Sequence, residues 1–235
     1  MKPEDTPSPM SPLHWAWVLI VFVPIILTSF IPVLARPLTS PIIAAYPAFP
    51  FVLYAFWSWA LIMIGHFILK RLDIGWKDIG VGSFRWRDLG WAVLAAIIAI
   101  FIVYPLTNVI LTWLGLGALQ GRGLSVAGPL NLISAILFPS LLIPVAEEVL
   151  FRGFLIELLT ARLHRKWIAG LVSGFMFWLI HIPLFGWSGM LLYVLLWTPL
   201  PVVLYLWRKS LWPSSIMHVL NNTFGFVVAS LLTRA

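Results

Sequence analysis

The sequence predicts an all-α fold, a polytopic bundle of about seven membrane-crossing helices with its N-terminus in the cytoplasm. Three observations carry that expectation. Hydrophobic residues fill 61% of the 235 positions and charged residues only 10%, against about 25% charged in an ordinary soluble domain. Several apolar runs reach about 20 residues, the length that crosses a hydrocarbon core of about 30 Å. Tryptophans punctuate the run ends (Trp15, Trp17, Trp91, Trp113, Trp167, Trp187, Trp207 and Trp212), as in the aromatic belts at membrane interfaces.

Taken in order, residues 1–13 are rich in proline and serine and read as a disordered cytoplasmic tail. Hydropathy then places spans at roughly 15–35, 48–69, 89–115, 131–151, 167–185, 187–207 and 212–232. The first run, Trp15 to Ala35, is too long for the apolar core of a signal peptide. The fourth continues as a helix to about Leu163, because Glu157, Arg162 and the leucines between them keep a helical period. Residues 14–130 therefore form an N-terminal group of helices, and 131–232 a core that carries the chemistry.

Orientation follows from the basic residues. Lys2, Lys70, Arg71, Lys77, Arg85, Arg87, Arg162, Arg165, Lys166, Arg208 and Lys209 fall on one side, and only Arg36, Arg122 and Arg234 on the other. The positive-inside rule makes the richer side cytoplasmic. The net charge of +7 thus lies in loops, where it sets topology and meets anionic lipid rather than nucleic acid. The chain has no cysteine, which excludes disulfides and thiol chemistry. It has no internal repeat, which disfavours a proton-coupled transporter.

Two adjacent carboxylates, Glu147 and Glu148, interrupt the fourth apolar run. A charged side chain in hydrocarbon costs from about 3 to above 10 kcal/mol, so such residues are functional by default. Glu148 and Arg152 stand four apart, on one helical face, where they can pair. Glu147 is rotated by about 100°, so it can address a different surface, such as an internal cavity, and it has no second cation within a span to neutralise it. It is the expected general base. Pro144, three residues earlier, is expected to kink the helix and admit water.

The fifth run ends in Phe177-Trp178-Leu179-Ile180-His181. Glu147 and His181 lie equally far from His164, at the turn between the two runs, so an antiparallel hairpin sets them at one depth. In the seventh run His218 and Asn222 share a face, while Asn221 points elsewhere. Depth is the difficulty. His218 lies about 8 Å of helix beyond Pro213, and His181 about 22 Å beyond Lys166, so the seventh helix must start well inside the membrane or the fifth outside it.

These residues resemble the CPBP family, the CAAX-prenyl-endopeptidase and bacteriocin-processing membrane proteins also called Abi. Its Glu-Glu-x-x-x-Arg, Phe-x-x-x-His and His-x-x-x-Asn motifs appear as Glu147/Glu148/Arg152, Phe177/His181 and His218/Asn222. The approach Trp207-Arg208-Lys209-Ser210-Leu211-Trp212-Pro213 is also similar, and Pro199-Leu200-Pro201 departs from the family's small residues. The resemblance covers about residues 130–226 and implies an integral, multi-pass intramembrane endopeptidase, of the kind found in bacterial plasma membranes. Its substrate would be a membrane-associated peptide or protein, with a prenylated CAAX-type end as the best-known class. A non-catalytic role in bacteriocin immunity or secretion is the alternative.

Two mechanisms fit. Glu147 and His181 could activate water while His218 and Asn222 stabilise the oxyanion. Alternatively Glu147, His181 and His218 could bind zinc, making the protein a metalloprotease. No His-Glu-x-x-His helix demands metal, and asparagine suits an oxyanion better than zinc. Glu148, Arg152 and Phe177 are expected to support the site, Phe177 by packing that positions His181.

Overall fold

Prolines and glycines set where the helices of this chain bend, end and touch. The computed structural model describes Val23, residues 36–119 and residues 128–228. Among the described residues the regular structure is entirely helical. A short helix, α1 (Arg36–Ala45), precedes α2 (Phe49–Arg71). Then come α3 (Trp86–Trp113), α4 (Pro129–Leu163), α5 (Lys166–Phe185) and α6 (Gly189–Arg208). The last, α7 (Leu211–Thr223), continues as a wide turn over Phe224–Val228.

Helices α2 to α6 are long and apolar enough to cross a membrane, and α4 runs to Leu163 as its period predicted. Helix α7 is not among the five; it carries Ser214, Ser215, His218, Asn221 and Asn222 within three turns. The tail at 1–13, most of the run at 15–35, the last residues of the seventh run, and Arg122 and Arg234 lie outside the described residues.

Helix α4 is not uniformly α-helical. It widens into π-type turns at Phe138–Leu142 and again at Glu148–Leu155. Such turns are frequent at functional sites and cost hydrogen bonds that something else must replace. At the first, the Ile143 N–H bonds back to the Phe138 carbonyl. The next link in that register would run from residue 144 to the Pro139 carbonyl, but Pro144 has no N–H. Pro139 O is therefore orphaned within its helix. Ser140 Oγ meanwhile donates to the Ala135 carbonyl at 2.7 Å, and Trp59 Nε1 of α2 donates to the Leu142 carbonyl at 3.1 Å. The kink expected at Pro144 is thus spread over two widened turns around the carboxylates.

His164, in the left-handed conformation at φ 53°, ends α4, and α5 starts at Lys166, forming the expected antiparallel hairpin. Helix α5 loosens at Ile180–His181, two residues before Pro183, which cannot donate to the preceding turn. Gly170 and Gly174 of α5 stand one turn apart and let α6 approach. A Cβ on Gly170 would fall 3.0 Å from Val202 Cγ1, and one on Gly174 3.1 Å from Thr198 Cγ2. Close backbone approach at small residues is the usual device of helix association in lipid. Just before the two prolines of α6, the Thr198 hydroxyl donates to the Val194 carbonyl at 2.6 Å.

The segment between α2 and α3 fixes the start of α7. It folds over the start of α7: Leu211 N–H donates to the Gly80 carbonyl (3.0 Å) and Trp212 Nε1 to the Gly82 carbonyl (2.8 Å). Leu211, Pro213 and Ser214 are consequently buried. Helix α7 starts inside the fold, and its second turn reaches the centre of α4. Arg208 clamps the same end, with Nε 3.1 Å and Nη2 3.0 Å from Asp88 Oδ1 at the start of α3. Asp88 itself accepts from the Arg85 N–H at 3.2 Å, capping that helix.

The seat of this segment is narrow. Gly80 has φ +87°, and any Cβ there would fall 2.7 Å from the Tyr205 ring; a Cβ on Gly153 would approach the Ile79 carbonyl to 3.0 Å. Gly153→Val adds further bulk against rigid backbone. We expect it to destabilise the fold by about 1–3 kcal/mol, the usual range for overpacking. Thermal unfolding in detergent measures this, and an unchanged midpoint would show that the segment's close seat on α4 is dispensable.

Candidate active site

The widened part of α4 turns two carboxylates inward. Glu147 and Glu148 are 4% and 0% exposed, and Arg152, one turn on, is also fully buried. Arg152 Nη1 lies 3.3 Å from Glu148 Oε1, the ion pair expected from the i,i+4 spacing. Its guanidinium carbon sits 4.3 Å above the centre of the Phe177 ring, so the cation is held between a carboxylate and an aromatic face. Neither the remaining guanidinium nitrogens nor Glu148 Oε2 meets a hydrogen-bond partner among the described residues.

Helix α7 brings His218 between the two carboxylates. Its Nδ1 lies 2.9 Å from Glu148 Oε1 and its Nε2 3.7 Å from Glu147 Oε2. A 100° rotation was expected to send the two carboxylates to different surfaces. Instead they meet opposite edges of one imidazole, because the ring lies in the angle between them. The sequence reading also gave Glu148 a single duty toward Arg152; the geometry gives it a second, on His218.

Phe177 joins these parts. It is buried, and its ring centre is 4.6 Å from His181, 5.9 Å from His218, 5.3 Å from Phe151 and 5.9 Å from Trp197. His181 Nδ1 donates to the Phe177 carbonyl at 2.7 Å. A carbonyl can only accept, so in the neutral ring Nε2 is left as an acceptor. His181 of α5 and His218 of α7 thus flank the one Phe177 ring, and Glu147 of α4 stands 3.7 Å from His218 Nε2.

Asn222 lies on the expected face of α7, and its amide donates to the orphaned Pro139 carbonyl at 2.9 Å. One of its two N–H groups is thus spent on repairing α4. Asn221 points elsewhere, as expected; its Oδ1 accepts from the Tyr193 hydroxyl at 2.6 Å.

Sequence reasoning missed two contributors. Tyr54 of α2 donates its hydroxyl to Glu147 Oε1 at 2.9 Å, so a fourth helix enters the site from the region where no motif was seen. The available signal was a lone phenol in the middle of an apolar span, whose hydroxyl requires a partner when buried. Trp197 of α6 packs 4.6 Å from the His218 ring, and its buried indole N–H has no partner among the described residues.

Among the described residues no three His, Asp or Glu side chains are grouped so as to hold a metal ion. His218 also addresses a carboxylate with each ring nitrogen.

Comparison with known proteins adds one finding at the level of families. Residues 129–224 match the model described as Type II CAAX prenyl endopeptidase Rce1-like. No curated protein and no solved structure matches the chain. The matched stretch runs from the start of α4 to the end of α7 and contains every residue of the three motifs. The chain thus has five helices long and apolar enough to cross a membrane, and its site-bearing segment, residues 129–224, is similar to the Rce1-like CAAX prenyl endopeptidases.

Proposed function

We propose that this protein is an intramembrane endopeptidase that hydrolyses a peptide bond near the C-terminus of a membrane-associated, prenylated CAAX-type substrate. The observation that carries the reading is the buried cluster of Glu147, His218 and Glu148, with His218 between two carboxylates. Two such carboxylates in an apolar bundle are too costly to serve only as structure. The family's description supplies the substrate class.

The division of labour follows from what each atom is already bonded to. Glu147 Oε2 has no hydrogen bond shorter than the 3.7 Å approach of His218, and it is the general base for water. His181, with Nδ1–H spent on Phe177 O, offers Nε2 as a second acceptor that orients the same water. The water oxygen attacks the scissile carbonyl carbon as its proton passes to Glu147. The carbonyl π pair moves onto oxygen. His218, with Nδ1 braced by Glu148 Oε1, donates from Nε2 to that oxyanion, together with the free N–H of Asn222. Collapse of the intermediate breaks the C–N bond, and Glu147 returns its proton to the leaving amine.

The two carboxylates then differ in a testable way. Glu147→Gln keeps its packing, and we expect it to abolish cleavage with an unchanged unfolding midpoint. Glu148→Gln strips Arg152 of its charge partner, a loss of about 3–5 kcal/mol for a broken buried pair, and releases His218 as well. We expect it to lose both stability and activity. Equal activity loss with equal stability in the two variants would refute the assignment.

Asn222→Ala should lower kcat by about 10²–10³, the usual cost of one oxyanion donor, with KM little changed. It should also lower the unfolding midpoint, because Pro139 O is orphaned again, at about 1–3 kcal/mol for an unsatisfied buried group. A stability loss without the kcat loss would reduce Asn222 to a structural role.

Prolonged treatment with a strong chelator should leave cleavage intact. Inactivation reversed by stoichiometric zinc would replace this mechanism with a metal-dependent one.

A further inference from the structure

Glu147 has two oxygens in unlike surroundings. Oε1 accepts from the Tyr54 hydroxyl at 2.9 Å, and Oε2 stands 3.7 Å from His218 Nε2. A carboxylate and an imidazole N–H free to meet close to about 2.7–2.9 Å. The observed separation is about 1 Å wider, although both groups are buried. The terminal carboxylate torsion of glutamate is soft, and the hydrogen bond that orients it here is the one from Tyr54.

We propose that Tyr54 is a positioning residue that holds the Glu147 carboxylate back from His218 and so keeps open the gap in which the base meets water. The proposal rests on the reading of Glu147 as general base. It lies outside the family-matched stretch, because Tyr54 belongs to α2 and the match begins at residue 129.

Tyr54 is built for this duty. Its helix packs against the α4 turn that carries Glu147. Trp59, on the same helix, is bonded to the Leu142 carbonyl, and Gly65 two turns on seats Phe154. The backbone carbonyl of Tyr54 accepts from Ser58 Oγ at 2.8 Å. Helix α2 is thus anchored to α4 at several levels, and the phenol projects from a fixed backbone. Without the hydroxyl, Glu147 can swing onto His218 Nε2. The resulting closed pair consumes the base and the oxyanion donor together, while the packing of the rings stays as it was.

The test compares wild type, Tyr54→Phe, Glu147→Gln and Tyr54→p-aminophenylalanine, each in proteoliposomes with a farnesylated peptide ending in a CAAX sequence. Tyr54→Phe should lower kcat about 10- to 100-fold, the scale of a 1 Å misplacement at a reacting group. KM and the unfolding midpoint should stay at wild-type values. The aniline variant restores an N–H donor at the same reach and should recover most of the lost kcat. Wild-type kcat in Tyr54→Phe overturns the proposal, and so does a kcat loss matched by a fall in unfolding midpoint. Should Tyr54→Phe not fold, a folded aniline variant with kcat at the wild-type level sustains the proposal, and one with strongly reduced kcat overturns it. Full activity of Glu147→Gln, or no cleavage by wild type, overturns the general-base reading and this proposal with it. Loss of activity in Glu147→Gln with full activity in Tyr54→Phe overturns the role of Tyr54 alone.

Discussion

The charge pair between Glu148 and Arg152 is the constraint on which the rest of the site depends. Neither side chain is exposed, and an isolated buried charge of either sign costs several kcal/mol. Arg152 is placed by Glu148 Oε1 and by the face of Phe177. Glu148 in turn is shared with His218. Removing any one of these leaves a charge without compensation, so α4, α5 and α7 are bound to one another electrostatically as well as by packing. A site composed of charges inside apolar helices holds together only as a complete set.

Phe177 translates that pairing into geometry. One ring touches Arg152, His181, His218 and Trp197, and the same residue's carbonyl selects the His181 tautomer. Aromatic rings lose little entropy on being fixed and bury much surface. A phenylalanine is therefore an economical centre for several polar groups that must keep fixed separations. This exceeds the packing role expected for it from sequence.

Proline does comparable work on the backbone. Pro144 leaves the Pro139 carbonyl without a partner, and Asn222 fills it from another helix. In hydrocarbon such a carbonyl has no water to turn to, so a helix break becomes an attachment point. Asn222 thereby joins the structural economy of the bundle while keeping one N–H for chemistry.

The sequence by itself determined what depends on local spacing and on the cost of burial. Apolar runs gave helices, the i,i+4 interval paired Glu148 with Arg152, the same interval set His218 and Asn222 on one face, and the turn at His164 made an antiparallel hairpin of α4 and α5. These relations hold within one helix or one hairpin, so a period of 3.6 residues suffices to read them. Tertiary structure alone decided which groups meet across distant segments. Tyr54 reaches Glu147 over 93 residues, Asn222 reaches Pro139 over 83, and Gly80 caps the buried start of α7. No periodicity encodes such contacts, because they depend on how helices pack around bends that proline creates. The two carboxylates met one imidazole rather than two surfaces for the same reason: helical phase fixes where a side chain leaves its helix, and the neighbouring helix fixes what it finds there.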